Sequence, residues 1–161
     1  MSTLFVRGSE FTYDEAKPEL IISTAHALLK RRLRPGAAVL TSPSGVRDFL
    51  CVHLGPRDYE LFGLIYLDGR NRLIAMEELF RGTLNTASVY PREVVKAALK
   101  HNAAAVIFYH NHPSGHDEPS HSDELLTRRL REGLSLVEIQ LLDHWIVAGD
   151  VIVSFRERGL L

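Results

Sequence analysis

Apolar positions change rhythm several times along the chain. Ile21, Ile22, Ala25, Leu28, Leu29 and Leu33 recur at helical spacing behind Pro18, which suits a first helical turn, and Pro35-Gly36 stops the run. Ser42-Pro43 reads as a second start, Ser as N-cap and Pro at the first helical position. Val46, Phe49, Leu50 and Leu54 then share a face, and Gly55-Pro56 ends it. Residues 60–67 (Glu-Leu-Phe-Gly-Leu-Ile-Tyr-Leu) are apolar and strand-like. Asp68 to Asn71 reads as a turn and Arg72 to Phe80 as a returning strand, so the pair predicts a hairpin. Pro91 to His101 reads as a helix with Val94, Val95, Ala98 and Leu99 inward. Residues 103–109 form a continuous apolar run, the pattern of a strand buried on both faces, and His110 and His112 sit where it ends. Pro113, Gly115 and Pro119 force a loop. A helix follows from Ser120 to Glu132, stopped by Gly133. Ile139–Leu142, Trp145–Ala148 and Val151–Phe155 supply two or three closing strands, while residues 1–17 are mixed, polar and peripheral. Strands and helices alternate without strict repetition, so the expected architecture is α/β, one mixed central β-sheet flanked by helices.

At 161 residues the chain fits one domain with a sizeable core. Hydrophobic residues are 45% and charged ones 24%, ordinary for a soluble globular chain. A net charge of −1 gives no global attraction to nucleic acid or anionic membrane. The basic stretches Lys30 to Arg34 and Arg128 to Arg131 read as solvated helix faces, so specific nucleic-acid binding is not expected. Cys51 is the single cysteine, which excludes an internal disulfide and a Cys-rich structural zinc site. No apolar run approaches the roughly 18 residues of a membrane span. The first residues lack a signal pattern, and a cytoplasmic protein is expected. Neither a phosphate-binding GKS/T loop nor a Gly-x-Ser-x-Gly elbow is present, and Cys51 lies in no nucleophile motif.

The chemistry concentrates in His110-Asn111-His112-Pro113, followed after six residues by Ser120-His121-Ser122-Asp123. Two imidazoles one residue apart point to the same side of an extended backbone. A carboxylate eleven residues after the second can return to the same point after a loop. Two His and one Asp make a three-ligand zinc set that leaves the fourth tetrahedral position open, as catalytic sites do. Ser120 and Asp123 also fit a capping-box variant, with Ser as N-cap and the acid at N3. Such a cap would aim Asp123 toward the histidines, and the helix dipole would keep it ionised.

The segment HNHPSGHDEPSHSD, with RGTLN and YPREVVKAAL upstream and LLDHWIV downstream, resembles the RadC-like branch of the JAMM (MPN-plus) metalloprotease family. The likeness runs from about Thr41 to the C-terminus, so residues 41–161 are expected to form the RadC-like JAMM/MPN domain and residues 1–40 an N-terminal helical extension. The resemblance implies a cytidine-deaminase-like fold and one Zn2+ per chain on His110, His112 and Asp123. It implies hydrolysis of a peptide or isopeptide bond in an unidentified peptide or protein substrate. At the position of Ser120 the family has a residue that polarises the water or the oxyanion. The family's general base is a Glu at the start of the first hairpin strand, which Glu60 matches; Glu77 and Glu78, closing the second strand, are rivals. His144 matches the family's LLDH segment and reads as structural or supporting. His116 and His121 read as solvated loop residues, and His26, His53 and His101 as incidental.

Two other readings compete. One is a non-enzymatic DNA-repair or mobile-element accessory protein that binds nucleic acid or a partner. Longer RadC-like proteins carry a helix-hairpin-helix region, and residues 1–40 show no Gly-based hairpin of that type. The other is zinc as a purely structural element, which three ligands disfavour. Oligomeric state is not legible in the sequence.

Overall fold

The computed structural model describes residues 4–7, 13–32, 35, 43–55, 57–82 and 88–161. Leu33, Gly36, Ser42 and Pro56, invoked above at helix ends, lie outside the described residues, as do Thr41 and Thr83 to Asn85 of the RGTLN segment.

The run Ala105–Asn111 (β5) is buried at every position and lies at the centre of a five-stranded sheet. On one side it pairs antiparallel with β3 (Leu61–Leu67), and β3 with β4 (Leu73–Arg81). On the other it pairs parallel with β6 (Gln140–Ala148), which pairs antiparallel with β7 (Val151–Ser154). The strand order is therefore β4-β3-β5-β6-β7. A parallel pair needs a crossover, and α4 (His121–Ser135) supplies it. Strand alternation splits the core into two layers. Leu61, Ile65, Ile107, Tyr109, Trp145 and Val147 pack with Phe49, Leu50 and Leu54 of α2 (Pro43–Leu54). Phe62, Leu64, Tyr66, Val106 and Phe108 pack with Val94 and Ala98 of α3 (Pro91–Lys100) and with Leu130 and Leu134 of α4. Truncating a fully buried ring such as Phe108 to Ala costs about 3–5 kcal/mol. The architecture is the expected mixed sheet with helices on both faces. Helix α1 (Pro18–Arg32) packs on α2, and β1 (Phe5–Arg7) and β2 (Tyr13–Glu15) make a separate antiparallel pair.

The structure corrects five local expectations. Leu99 does not face inward with Val94 and Ala98 but is 53% exposed. Strand β5 does not stop at Tyr109: His110 and Asn111 continue it, opposite Ile146 and Val147 of β6. Helix α4 passes through Gly133 to Ser135, because a Cβ at Gly133 would sit only in van der Waals range of Val95 and Leu134 is needed in the core. The first two closing segments are one strand, β6, because Asp143 between them is not a turn. Its carboxylate is buried and accepts from the His144 and Arg156 amides, the Trp145 indole and the Ser154 hydroxyl. Finally, the N-terminal segment carries two short strands that its mixed pattern does not announce.

Candidate metal centre

Alternation along β5 sends Tyr109 and Asn111 toward the α2 face and Phe108 and His110 toward α4. His112 follows the strand, held by its amide donating to the Val147 carbonyl at 2.9 Å. A turn over His112-Pro113-Ser114-Gly115 is closed by the Gly115 amide on the His112 carbonyl at 3.0 Å, with Pro at its second position. Gly115 then takes φ of 76°, a conformation that favours glycine. The chain doubles back, and the His116 carbonyl sits 2.7 Å from His112 Nδ1. A carbonyl can only accept, so His112 carries its proton on Nδ1 and directs Nε2 inward.

Ser120 is the N-cap of α4, with φ −76° and ψ 159°, and forms a capping box with Asp123. The Asp123 amide donates to Ser120 Oγ at 3.2 Å, while Asp123 Oδ2 accepts from the Ser120 amide at 2.8 Å and its hydroxyl at 2.6 Å. The cap thereby fixes the carboxylate in the first helical turn, facing the histidines. His110 Nε2 lies 3.0 Å from His112 Nε2 and 3.4 Å from Asp123 Oδ1, and His112 Nε2 lies 3.6 Å from Asp123 Oδ2. Tetrahedral zinc with bonds of about 2.0–2.1 Å places its ligand atoms about 3.3 Å apart, so the donor set fits in kind and in spacing. Among the described residues this is the group of three His, Cys, Asp or Glu side chains that could hold a metal ion, its ligand atoms all within 4.8 Å of one another.

Electrostatics separates the three. Burial pushes His110 down to about 4; Asp123 opposes that shift and His112 adds to it. His112 is raised, first by its contact with the Asp123 carboxylate, then against burial by the His116 carbonyl and the charges of Asp123 and Glu60. For Asp123, burial alone would raise the carboxyl. His112, His110 and the Ser120 hydroxyl and amide outweigh it and hold the group well below the usual carboxylate range. His110 is therefore neutral and Asp123 ionised, as metal ligands must be.

Behind His110 lies a fully buried His144, its Nε2 2.7 Å from His110 Nδ1 and its Nδ1 2.6 Å from the Thr127 hydroxyl. His144 reaches that face through a bulge. Val106 pairs with Leu141 but Ile107 with Asp143, so Leu142 is an extra residue in β6 and reverses the alternation beyond it. Without it His144 would point at α2. Phe62 and Phe108 meet the His144 ring edge-on, and Phe155 stacks on it at 4.6 Å between centroids. The supporting reading of His144 thus becomes a direct contact with a candidate ligand. Thr127 was missed by sequence reasoning; the available signal was its place one helical turn after Asp123.

Glu60 precedes β3. Phe62 pairs with His110, and the same antiparallel register continued outward sets Glu60 across from His112. Its charge acts on His112. Asn111, also unremarked in the sequence, ties the flanking peptides down: Oδ1 accepts the Leu61 amide at 2.8 Å and Nδ2 donates to the Tyr59 carbonyl at 3.0 Å. The rivals sit elsewhere. Glu78 pairs with Gly63 on the α2 face and bonds His53 Nε2 at 2.6 Å, with Arg57 at 3.5 Å. Glu77 faces α3, 2.9 Å from His101 Nε2 and 3.3 Å from the Tyr66 hydroxyl. His26 is bonded to His53 at 2.9 Å, so the three histidines read as incidental are partnered away from the centre. The side chains of His116 and His121 are exposed.

A family model described as a RadC-like JAB domain matches residues 40–160. A "UPF0758 protein" of Nitrosomonas europaea is 51% identical over 146 residues, covering 91% of this chain and 65% of the relative. One of Thioalkalivibrio sulfidiphilus is 54% identical over the same shares. A third, of Dechloromonas aromatica, is 60% identical over 122 residues, 75% of this chain and 54% of the relative. The chain thus spans less than two thirds of the length of these relatives. The matched segment contains the whole five-stranded sheet and the His110–His112–Asp123 group, and the mixed sheet flanked by helices agrees with a JAB-type fold. On this match the chain belongs to the RadC-like JAB domain family.

Proposed function

We propose that this protein is a zinc-dependent hydrolase of amide bonds, in a peptide or isopeptide linkage of a protein substrate. The observation that carries the reading is the convergence of two imidazole Nε2 atoms and one carboxylate at 3.0–3.6 Å, with Glu60 in register beside them. Imidazole nitrogen with carboxylate suits zinc better than magnesium or calcium, which prefer oxygen alone. Zinc held by His110, His112 and Asp123 would supply Lewis acidity, enough to bring the pKa of a water to about 7.

The remaining work falls to the chain. Glu60 takes a proton from the attacking water and delivers it to the leaving nitrogen, as an amide needs for its C–N bond to break. Ser120 Oγ, now donating to Asp123 Oδ2, can turn its hydrogen to the carbonyl oxygen as negative charge grows there. The Ser120 amide keeps Asp123 oriented when the hydroxyl turns.

The test is metal analysis of protein purified without chelator, with turnover of fluorogenic peptide and isopeptide substrates by wild type and Glu60→Gln. One zinc per chain is expected in both, with turnover about 10²–10⁴-fold lower in the variant. Equal turnover in both would remove Glu60 as the base, and a protein that takes up no zinc would remove the metal reading.

A further inference from the structure

His110, His144 and Thr127 close a ring of contacts that begins and ends on one residue. Thr127 Oγ1 lies 2.6 Å from the backbone carbonyl of Asp123 and 2.6 Å from His144 Nδ1. His144 Nε2 lies 2.7 Å from His110 Nδ1. His110 Nε2 lies 3.4 Å from the Asp123 carboxylate. We propose that Thr127 and His144 are positioning residues whose single hydroxyl proton sets the tautomer of His110, presenting the Nε2 lone pair to a metal.

The direction of every bond follows from donor and acceptor counts. A hydroxyl has one hydrogen, and the Asp123 carbonyl can only accept. The 2.6 Å contact therefore uses that hydrogen, and Thr127 Oγ1 must accept from His144. His144 then carries its hydrogen on Nδ1, and as a neutral imidazole it has a lone pair on Nε2. His110 must donate from Nδ1 to that lone pair, which leaves its own Nε2 bare, 3.0 Å from the equally bare Nε2 of His112, so that a cation between them is needed to join the two lone pairs. Reversing any bond would put two acceptors or two donors face to face at 2.6–2.7 Å inside a pocket walled by Phe62, Phe108 and Phe155. The Leu142 bulge serves the same end, since it turns His144 onto this face.

This inference rests on the metal reading for its consequence but can be read without metal. Nitrogen-15 NMR of metal-free wild type should show His110 and His144 both protonated at Nδ1. Thr127→Val keeps the side-chain shape and removes the acceptor. His110 should then populate the Nε2-protonated form, and zinc affinity, measured by competition with a chromogenic chelator, should fall about 10–100-fold. Thr127→Ser should restore both. Wild-type His110 protonated at Nε2, or a folded Thr127→Val with unchanged tautomer and zinc affinity, would overturn the proposal. Should Thr127→Val not fold, the wild-type spectra decide alone. A wild type that binds no zinc overturns the metal reading instead, and the metal-free spectra still decide the relay.

Discussion

Asn111 holds Glu60 by the peptide groups on either side of it, 2.8 Å to the Leu61 amide and 3.0 Å to the Tyr59 carbonyl. Asn111 points away from the His110–His112–Asp123 group and is buried, so its part is to lock the β3 approach against β5. Asn111→Leu leaves both peptide groups unpaired and should cost about 1–3 kcal/mol per group, read by urea unfolding. Hydrolysis should fall further than zinc content does, because Glu60 is released while His110 and His112 stay. A stable Asn111→Leu protein with full turnover would show that Glu60 needs no such hold.

Zinc should stabilise the native chain, because the three ligands meet only when β5 and α4 are docked. At a free zinc concentration 100 times the dissociation constant the gain is about 2.7 kcal/mol. His112→Ala and Asp123→Ala should each abolish that gain. Asp123→Ala should also cost about 1 kcal/mol without metal, because it breaks the capping box on Ser120. Full zinc retention in both variants would refute the ligand set.

Glu78→Gln separates the two hairpin carboxylates. Glu78 bonds His53 and Arg57 on the α2 side and is more than a third exposed. Its loss should change stability by at most about 1 kcal/mol, zinc content not at all, and turnover little. A loss of turnover comparable to that of Glu60→Gln, with zinc retained, would make Glu78 the base.

The grouping of His110, His112 and Asp123 was legible because its geometry is local. Two histidines one apart on a strand share a side whatever the fold, and a Ser-x-x-Asp cap aims its acid by helix geometry alone. The place of Glu60 beside His112 was legible at one remove, through a hairpin whose register links it to the end of β5. The Thr127–His144–His110 contacts were not legible. Whether His144 faces α4 depends on a one-residue bulge in β6, and no alternation pattern shows which strand takes the extra residue. Gly133 misled for a related reason. Glycine mid-helix is tolerated where packing beyond it, here Leu134, outweighs its propensity.

Gly63 should be intolerant of any side chain, with consequences for the strand that carries His110. A Cβ there would lie 2.3 Å from the ring end of Tyr109 and 2.6 Å from the Glu77 carbonyl. Tyr109 crosses the gap that Gly63 leaves and donates its hydroxyl to that same carbonyl at 3.0 Å. Gly63→Ala must therefore push the ring off its partner or spread β3 from β4, where the register already shifts between Phe62 and Gly63. The cost should reach about 1–3 kcal/mol, the range for overpacking. Tyr109 directly precedes His110, so zinc affinity should fall with stability. Tyr109→Leu removes the clashing atoms and should itself destabilise by leaving a void and an unpaired carbonyl. The double variant should be more stable than the two single losses added together predict, by about 0.5–3 kcal/mol, the range for residues in contact. Strict additivity in denaturant unfolding would show that the clash is relieved elsewhere and that Tyr109 does not need the space at Gly63.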